Sequence, residues 1–396
     1  MRFIVDISDC PRQTQGRKTS KTMKSPMNSG AKDPVKVDLA VVGGGLAGCA
    51  LVWEAIRRGY RVALVDKLRR SSSSRVAAGL VTPITGGRFA LSWRFDEYYR
   101  AADSLYRFVQ ESTQGAFWSV APALRIFTSS QQRADFEERW TGPESAVYVG
   151  SLQVELLSAS DLIGFAAPWG GFSMSPAARL GTEAYIDATR AFLGQQGLLF
   201  DALVDLGHEL VSTPQCMRIE GLDLKARWIA LAQGLEARSN EWFGALPLHP
   251  ARGDVLEVFA GSKQIEHVVH RDGWIVPLGP SRYLLGATYA RDPQECLIES
   301  PVGLEARAEL IGRWEGFFDE PQADVQWIEQ RAAVRPASYD RHPLIGSHPE
   351  HRNLVCLNGL GSKGSLMAPR LAQLLLDELE FRTPIEKVLR YDRRKV

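Results

Sequence analysis

The chain predicts an α/β fold: a parallel-sheet domain assembled from distant segments, carrying an inserted, mainly antiparallel β domain. Three observations lead there. Residues 37–66 read as strand, glycine turn, helix and strand. An apolar strand ending in glycine recurs at 226–234, and another at 354–359. Between them, residues 253–287 break into short apolar-rich runs separated by Arg271-Asp-Gly273 and Gly279-Pro-Ser281, which is antiparallel turn chemistry.

The first stretch is the most informative. Val37–Val42 is an apolar run without helical spacing, hence a buried strand. Gly43, Gly45 and Gly48 follow at the spacing G-x-G-x-x-G. Leu46–Arg58 is helix-friendly, Gly59 suits a left-handed helix end, and Val62–Val65 is a second strand closed by Asp66. Gly43 lets the chain turn sharply, Gly45 leaves room for a pyrophosphate, and Gly48 lets helix and strand approach. Leu46 and Ala47 open the helix, whose free N–H groups and partial positive charge favour phosphates. Asp66 stands about twenty residues on, where a carboxylate accepts hydrogen bonds from ribose hydroxyls. Lys67, Arg69 and Arg70 raise the rival idea of a 2′-phosphate site, but the Asp66 charge would repel that phosphate.

Composition narrows the class. The 396 residues suffice for a substantial core, and a net charge of +1 gives no electrostatic case for nucleic acid. No apolar run approaches membrane-spanning length. The five cysteines are widely spaced without C-x-x-C, the pattern of reduced thiols in a cytoplasmic setting. Residues 1–35 are rich in Ser, Lys, Thr and Pro and read as a disordered extension, with a start at Met23 or Met27 as the alternative. The pairs His267/His270 and His348/His351 lack acidic or thiol companions, so no metal is expected.

Further along, residues 76–87 are small and suit backbone lying against a flat ligand. Helices are expected at 93–111, 131–140, 182–196, 301–318 and from about 365 to 380. Strands are expected at 123–128, 198–204, 208–212, 226–233, 253–259, 268–269, 274–277, 283–287 and 354–357. The cofactor domain would comprise 36–95, 175–235 and 331–396, and the substrate or cap domain 96–174 and 236–330. Nucleotide-type elements at start, middle and end favour one long cofactor gripped along its length, meaning FAD.

These residues resemble the FAD-dependent D-amino-acid oxidase and glycine oxidase superfamily. The likeness rests on the glycine fingerprint with Asp66, Ala77-Ala78-Gly79-Leu80 with Thr82-Pro83, the Trp228–Gly234 strand, and Val334-Arg335-Pro336 through Gly346 with Gly359–Gly364. It implies a glutathione-reductase-like, FAD-binding Rossmann domain with an inserted antiparallel β substrate domain. The loop Asn358-Gly-Leu-Gly-Ser-Lys-Gly364 is also similar to the flavin loop of the oxidase domain in the bifunctional tRNA wobble-uridine modification enzyme.

The resemblance implies roles. Gly43, Gly45, Gly48 and Asp66 would hold the ADP part of non-covalent FAD, with Leu46, Ala47, Lys67 and Gly234 beside them. Ala78, Gly79 and Leu80 would lie along the flavin, and Gly361, Ser362, Lys363, Gly364 and Ser365 would set a helix N-terminus at its pyrimidine end. Lys363 would stabilise charge on the reduced flavin, and Arg335 would grip a substrate carboxylate. Glu329 and Asp340 are the structural alternatives for Arg335, and a surface position is the alternative for Lys363. Tyr289 and Tyr283 are candidate substrate contacts, against core packing; Trp274 reads as core. The expected reaction is oxidation of the C–N bond of a small amine or amino acid, with hydride passing to flavin N5 and the imine then hydrolysed. A tRNA substrate is the second reading, less favoured at neutral charge; a non-catalytic flavin-binding partner protein is the third.

Overall fold

The computed structural model describes residues 33–141, 152–213, 216–239, 241–243, 246–292, 296, 302–320 and 325–393. The extension expected at 1–35 lies almost wholly outside them.

The central sheet draws on separated segments. Its order runs Leu199–Phe200, Val62–Val65, Val35–Val42, Leu224–Leu231, Met217–Ile219, Leu210–Ser212. Val35–Val42 runs parallel to both neighbours, aligning Val42 with Val65 and with Leu231. Leu354–Asn358 also joins Leu224–Leu231 in parallel, and Leu344–Ser347 folds back on it. Val62–Val65 and Leu354–Asn358 are buried throughout, as strands covered on both faces must be.

Helices cover this sheet. Leu46–Arg57 starts directly after the glycine turn, and its buried face includes Leu46, Cys49, Ala50 and Trp53. The indole N–H of Trp53 donates to Thr189 Oγ1 at 2.8 Å, tying it to helix Thr182–Gln195. Helix Gly364–Phe381 lies against both Leu46–Arg57 and Phe95–Thr113. Residues 96–111 are grouped with the cap on sequence, but Phe95, Tyr98, Ala102, Leu105, Tyr106 and Val109 recur every three or four positions and bury in the parallel-sheet core.

The second large sheet runs Val325–Arg335, Ala251–Ala260, Arg282–Gly286, Trp274–Gly279, Val268–His270, Ala123–Ile126, Gly171–Ser175, Gln153–Leu157. Its neighbours are antiparallel except Val268–His270 with Ala123–Ile126. One face packs on helix Leu304–Gly316 around Trp314 and Phe317. Val255, Val276 and Leu284 on the other face meet Val76 and Ala78 of the first domain. That contact joins the two sheets at the strand ends, where the site lies.

Among the cysteines, Cys49, Cys296 and Cys356 are free and buried. Burial pushes the Cys49 thiol up to about 12. No helix among the described residues is long and apolar enough to cross a membrane.

Candidate active site

Two adjoining cavities, of about 330 and 690 Å³, lie beyond the carboxyl ends of the parallel strands. Gly45, Ser73, Ser74, Ala232 and Gly234 belong to both walls, so the cavities form one groove. Ligands of open α/β sheets bind at this end because the strand ends and helix N-termini converge there.

The larger cavity is built by the glycine turn. Gly43 has φ +106°, and a Cβ there would lie 2.4 Å from the Ala232 carbonyl oxygen. Only glycine meets both demands. Gly44 has no room for a Cβ either, because Asp66 Oδ2 would be 2.6 Å away. Its N–H instead donates to Asp66 Oδ1 at 2.8 Å. Arg190 donates to Asp66 Oδ2 at 2.6 Å, and its side chain is 11% exposed. Burial holds the Asp66 carboxyl above its ordinary value, opposed by the Gly44 N–H and Arg190. Lys67 lines this cavity but its ammonium faces Asp201 at 3.6 Å; Arg69 pairs with Glu236. Gly48 serves packing alone: it lies outside both walls, and a Cβ there would sit 1.8 Å from the Gly43 carbonyl oxygen.

The smaller cavity gathers the rest. Gly45, Leu46 and Ala47 form one side, Ala78, Gly79 and Leu80 another, Gly361, Ser362, Gly364 and Ser365 a third, and Gly234 closes a corner. Helices Leu46–Arg57 and Gly364–Phe381 therefore both begin at this cavity. Their aligned N–H groups make it hospitable to negative charge. Gly79, at φ +76°, answers to the backbone: a Cβ would be 1.7 Å from the Leu180 carbonyl oxygen. Lys363 is not on the wall. Its ammonium donates to Ser92 Oγ at 3.1 Å, and burial lowers its pKa. It is a half-buried cation just behind the Gly361–Ser362 turn, neither a surface lysine nor one that projects into the groove.

The cap supplies the remaining wall. Arg335 ends strand Val325–Arg335 opposite Ala251, and Gly253 lies two residues further along Ala251–Ala260. The guanidinium lies flat over Gly253, where a Cβ would be 2.2 Å from Nη2. It donates to the Arg252 carbonyl at 3.2 Å and stands 5.7 Å from the Tyr289 ring centre. Burial lowers its pKa, the mark of a cation short of counter-charge. Both sequence alternatives are engaged elsewhere: Glu329 with Arg331, and Asp340 with Arg393, which holds the Asp340 carboxyl at about 2. Asp254, the nearest buried acid, is bound by Arg252, Thr288 and Gln330. Among the described residues, no carboxylate pairs with Arg335.

The two tyrosines part company. Tyr289 lines the cavity. Tyr283 does not: it is buried in the cap core, donating to the Lys263 carbonyl at 2.6 Å and accepting from Ile265 N–H. Its strand face turns it toward Trp314 and away from the groove. Trp274, which reads as core, lines the cavity instead. Sequence reasoning also missed Ser74, whose hydroxyl accepts from Leu46 N–H at 3.0 Å, along with Arg190 and Gly253. The serine run after Asp66 was a usable signal for the first; nothing local marks the other two.

The groove fits FAD on its own geometry. A side chain is missing at Gly45 where both cavities meet, two helix N-termini point inward, and a ribose-type carboxylate is pre-oriented at Asp66. Gly43–Ala47, Asp66 and Gly234 could hold the adenosine diphosphate portion. Ala78–Leu80 and Gly361–Ser365 could hold the flavin, leaving Arg335 and Tyr289 to face a substrate.

Comparison with known proteins agrees. Glycine oxidase of Geobacillus kaustophilus is 27% identical over 367 residues, covering 87% of this chain and 93% of that protein. The tRNA 5-methylaminomethyl-2-thiouridine biosynthesis bifunctional protein of Actinobacillus pleuropneumoniae serotype 5b is 25% identical over 391 residues, covering 85% of this chain and 55% of that protein. The chain thus spans about half the length of several curated relatives it matches. In structure, G. kaustophilus glycine oxidase superposes with TM-score 0.73 at 21% identity, over 88% of this chain and 96% of that one. Iminodiacetate oxidase from Chelativorans sp. gives 0.72 at 19%, over 89% and 98%. The family model for FAD dependent oxidoreductases, DAO, matches residues 38–378, and with it the fold, the groove and the cofactor fall into place: this chain is an FAD-dependent oxidoreductase of the DAO family.

Proposed function

We propose that the protein oxidises the C–N bond of an amino acid or small N-substituted amino acid. One observation carries the reading: Arg335 is a half-buried guanidinium without a carboxylate partner among the described residues, on the cavity wall. A planar fork in that position suits a substrate carboxylate, and fixing that end orients the adjoining C–N bond. Bound FAD supplies the two-electron acceptor. The substrate loses two electrons and two protons to give an imine, and water splits the imine into a carbonyl product and an amine.

The chain's own part is positioning. Arg335 holds the carboxylate, Tyr289 bounds the other side, and Trp274 and Ala78 keep the floor apolar. The N-terminus of helix Gly364–Phe381 and the half-buried Lys363 would bring positive potential to the reduced flavin. The division into cofactor segments and an inserted cap is the frame for this reading.

The test is anaerobic. The FAD-loaded protein is mixed with glycine, D-amino acids and N-methyl amino acids, and bleaching of the flavin is followed. Bleaching by at least one is expected. A flavin that dithionite reduces but none of these acids does rejects the reading; bleaching by modified tRNA alone would transfer it to RNA, which the net charge of +1 does not favour.

A further inference from the structure

Tyr289 carries a second arginine on its outer side. Arg291 forks onto the phenol oxygen, Nη2 at 2.8 Å and Nε at 3.1 Å. Its guanidinium stands 5.4 Å from the ring centre, and that of Arg335 stands 5.7 Å from the same centre. The two guanidiniums therefore lie within about 11 Å of one another, the inner one half-buried and the outer one exposed. The ring between them is 56% exposed yet lines the cavity, so it stands at the mouth. Arg291 makes no ion pair among the described residues. A hydrogen bond to a neutral phenol leaves its charge unmatched, while fixing its position.

We propose that the site takes dianionic substrates: amino acids, or N-substituted glycines, with a second anionic group at the end remote from the carboxylate that Arg335 holds. This rests on the carboxylate reading of Arg335. The inner arginine fixes the end beside the reacting carbon; the outer one selects among tails at the mouth. Because Arg291 is exposed, its share is a modest, salt-screened preference. Tyr289 is the hinge of the arrangement, since its hydroxyl orients Arg291 and its ring spaces the two charges.

The test measures binding, independent of turnover. The FAD-loaded protein is titrated with pentanoate and with glutarate, acids of equal length carrying one and two charges, and the flavin absorbance change gives each Kd. Glutarate is expected to bind about fivefold tighter at low salt, the advantage fading by 0.5 M salt. Arg291→Gln should erase the ratio while leaving pentanoate unchanged, and Arg291→Lys should keep part of it. Tyr289→Phe, which removes the anchor but keeps the ring, should reduce it. Equal binding of the two acids to the wild-type protein, or a ratio that survives Arg291→Gln, overturns the inference and leaves Arg335 as a carboxylate site. Failure of both acids to perturb the flavin overturns the inference together with the reading beneath it.

Discussion

Replacing Arg335 by methionine should make the protein more stable and worse at binding carboxylates. The guanidinium is half-buried, desolvation lowers its pKa, and its protein bond is one hydrogen bond to the Arg252 carbonyl at 3.2 Å. That carbonyl also accepts from Ala290 N–H at 3.1 Å, so it stays satisfied after the change. A desolvated charge without a partner is a standing cost, and replacing buried ion pairs by apolar groups is often neutral or stabilising by about 1–4 kcal/mol. We expect about 1–2 kcal/mol here, because the Arg252 bond and the Tyr289 ring offset part of the cost. Binding moves the other way. A forked grip makes two charge-assisted bonds of about 1.5–3 kcal/mol each, so losing it should weaken a bound monocarboxylate by at least about 100-fold. Urea unfolding of the flavin-free protein measures the first effect, and flavin-perturbation titration with acetate the second. A destabilised variant, or one binding acetate as tightly as wild type, would refute the view of Arg335 as a cation held in readiness.

Four further outcomes follow from the same geometry. Gly253→Ala places a Cβ 2.2 Å from Arg335 Nη2, the far end of a flexible side chain, so the fold should survive while acetate binding falls about tenfold, read by the same titration. Arg190→Gln removes a donor at 2.6 Å from Asp66 and should weaken FAD about tenfold by fluorescence titration. Asp66 sits above its ordinary pKa and FAD hydroxyls prefer its ionised form, so affinity should rise as pH climbs through that raised value; without Arg190, which lowers it, the rise should shift to higher pH. Lys363→Met withdraws a half-buried cation behind the flavin turn and should lower the two-electron flavin potential by about 20 mV, equivalent to about 1 kcal/mol, in a redox titration.

The strand–turn–helix–strand start was legible because local chemistry governs it. Gly43 must turn and Gly48 must yield to a carbonyl, whatever the rest of the chain does. The same holds for the last helix, which begins at Gly364 just after a glycine turn. Strand Val325–Arg335 was hidden. Its register against Ala251–Ala260 shifts between Glu257 and Val258, which face Glu329 and Trp327, so Ile328 bulges out and Trp327-Ile328 breaks the alternation. The strand expected at 198–204 shrinks to Leu199–Phe200, an edge strand with one neighbour. Tyr283 was misplaced because alternation says that a face is buried, not which face meets the ligand. Arg190 reaches Asp66 across 124 positions, and only the folded chain shows that contact.

The central claim is that Gly43–Asp66, Ala78–Leu80 and Gly361–Ser365 enclose one FAD whose flavin end faces Arg335. A crystal structure of the FAD-loaded protein with acetate tests it directly. The account predicts adenosine at Asp66, the flavin ring along Ala78–Gly79, and acetate forked on Arg335. Acetate bound elsewhere, with Arg335 turned away from the flavin, would contradict it.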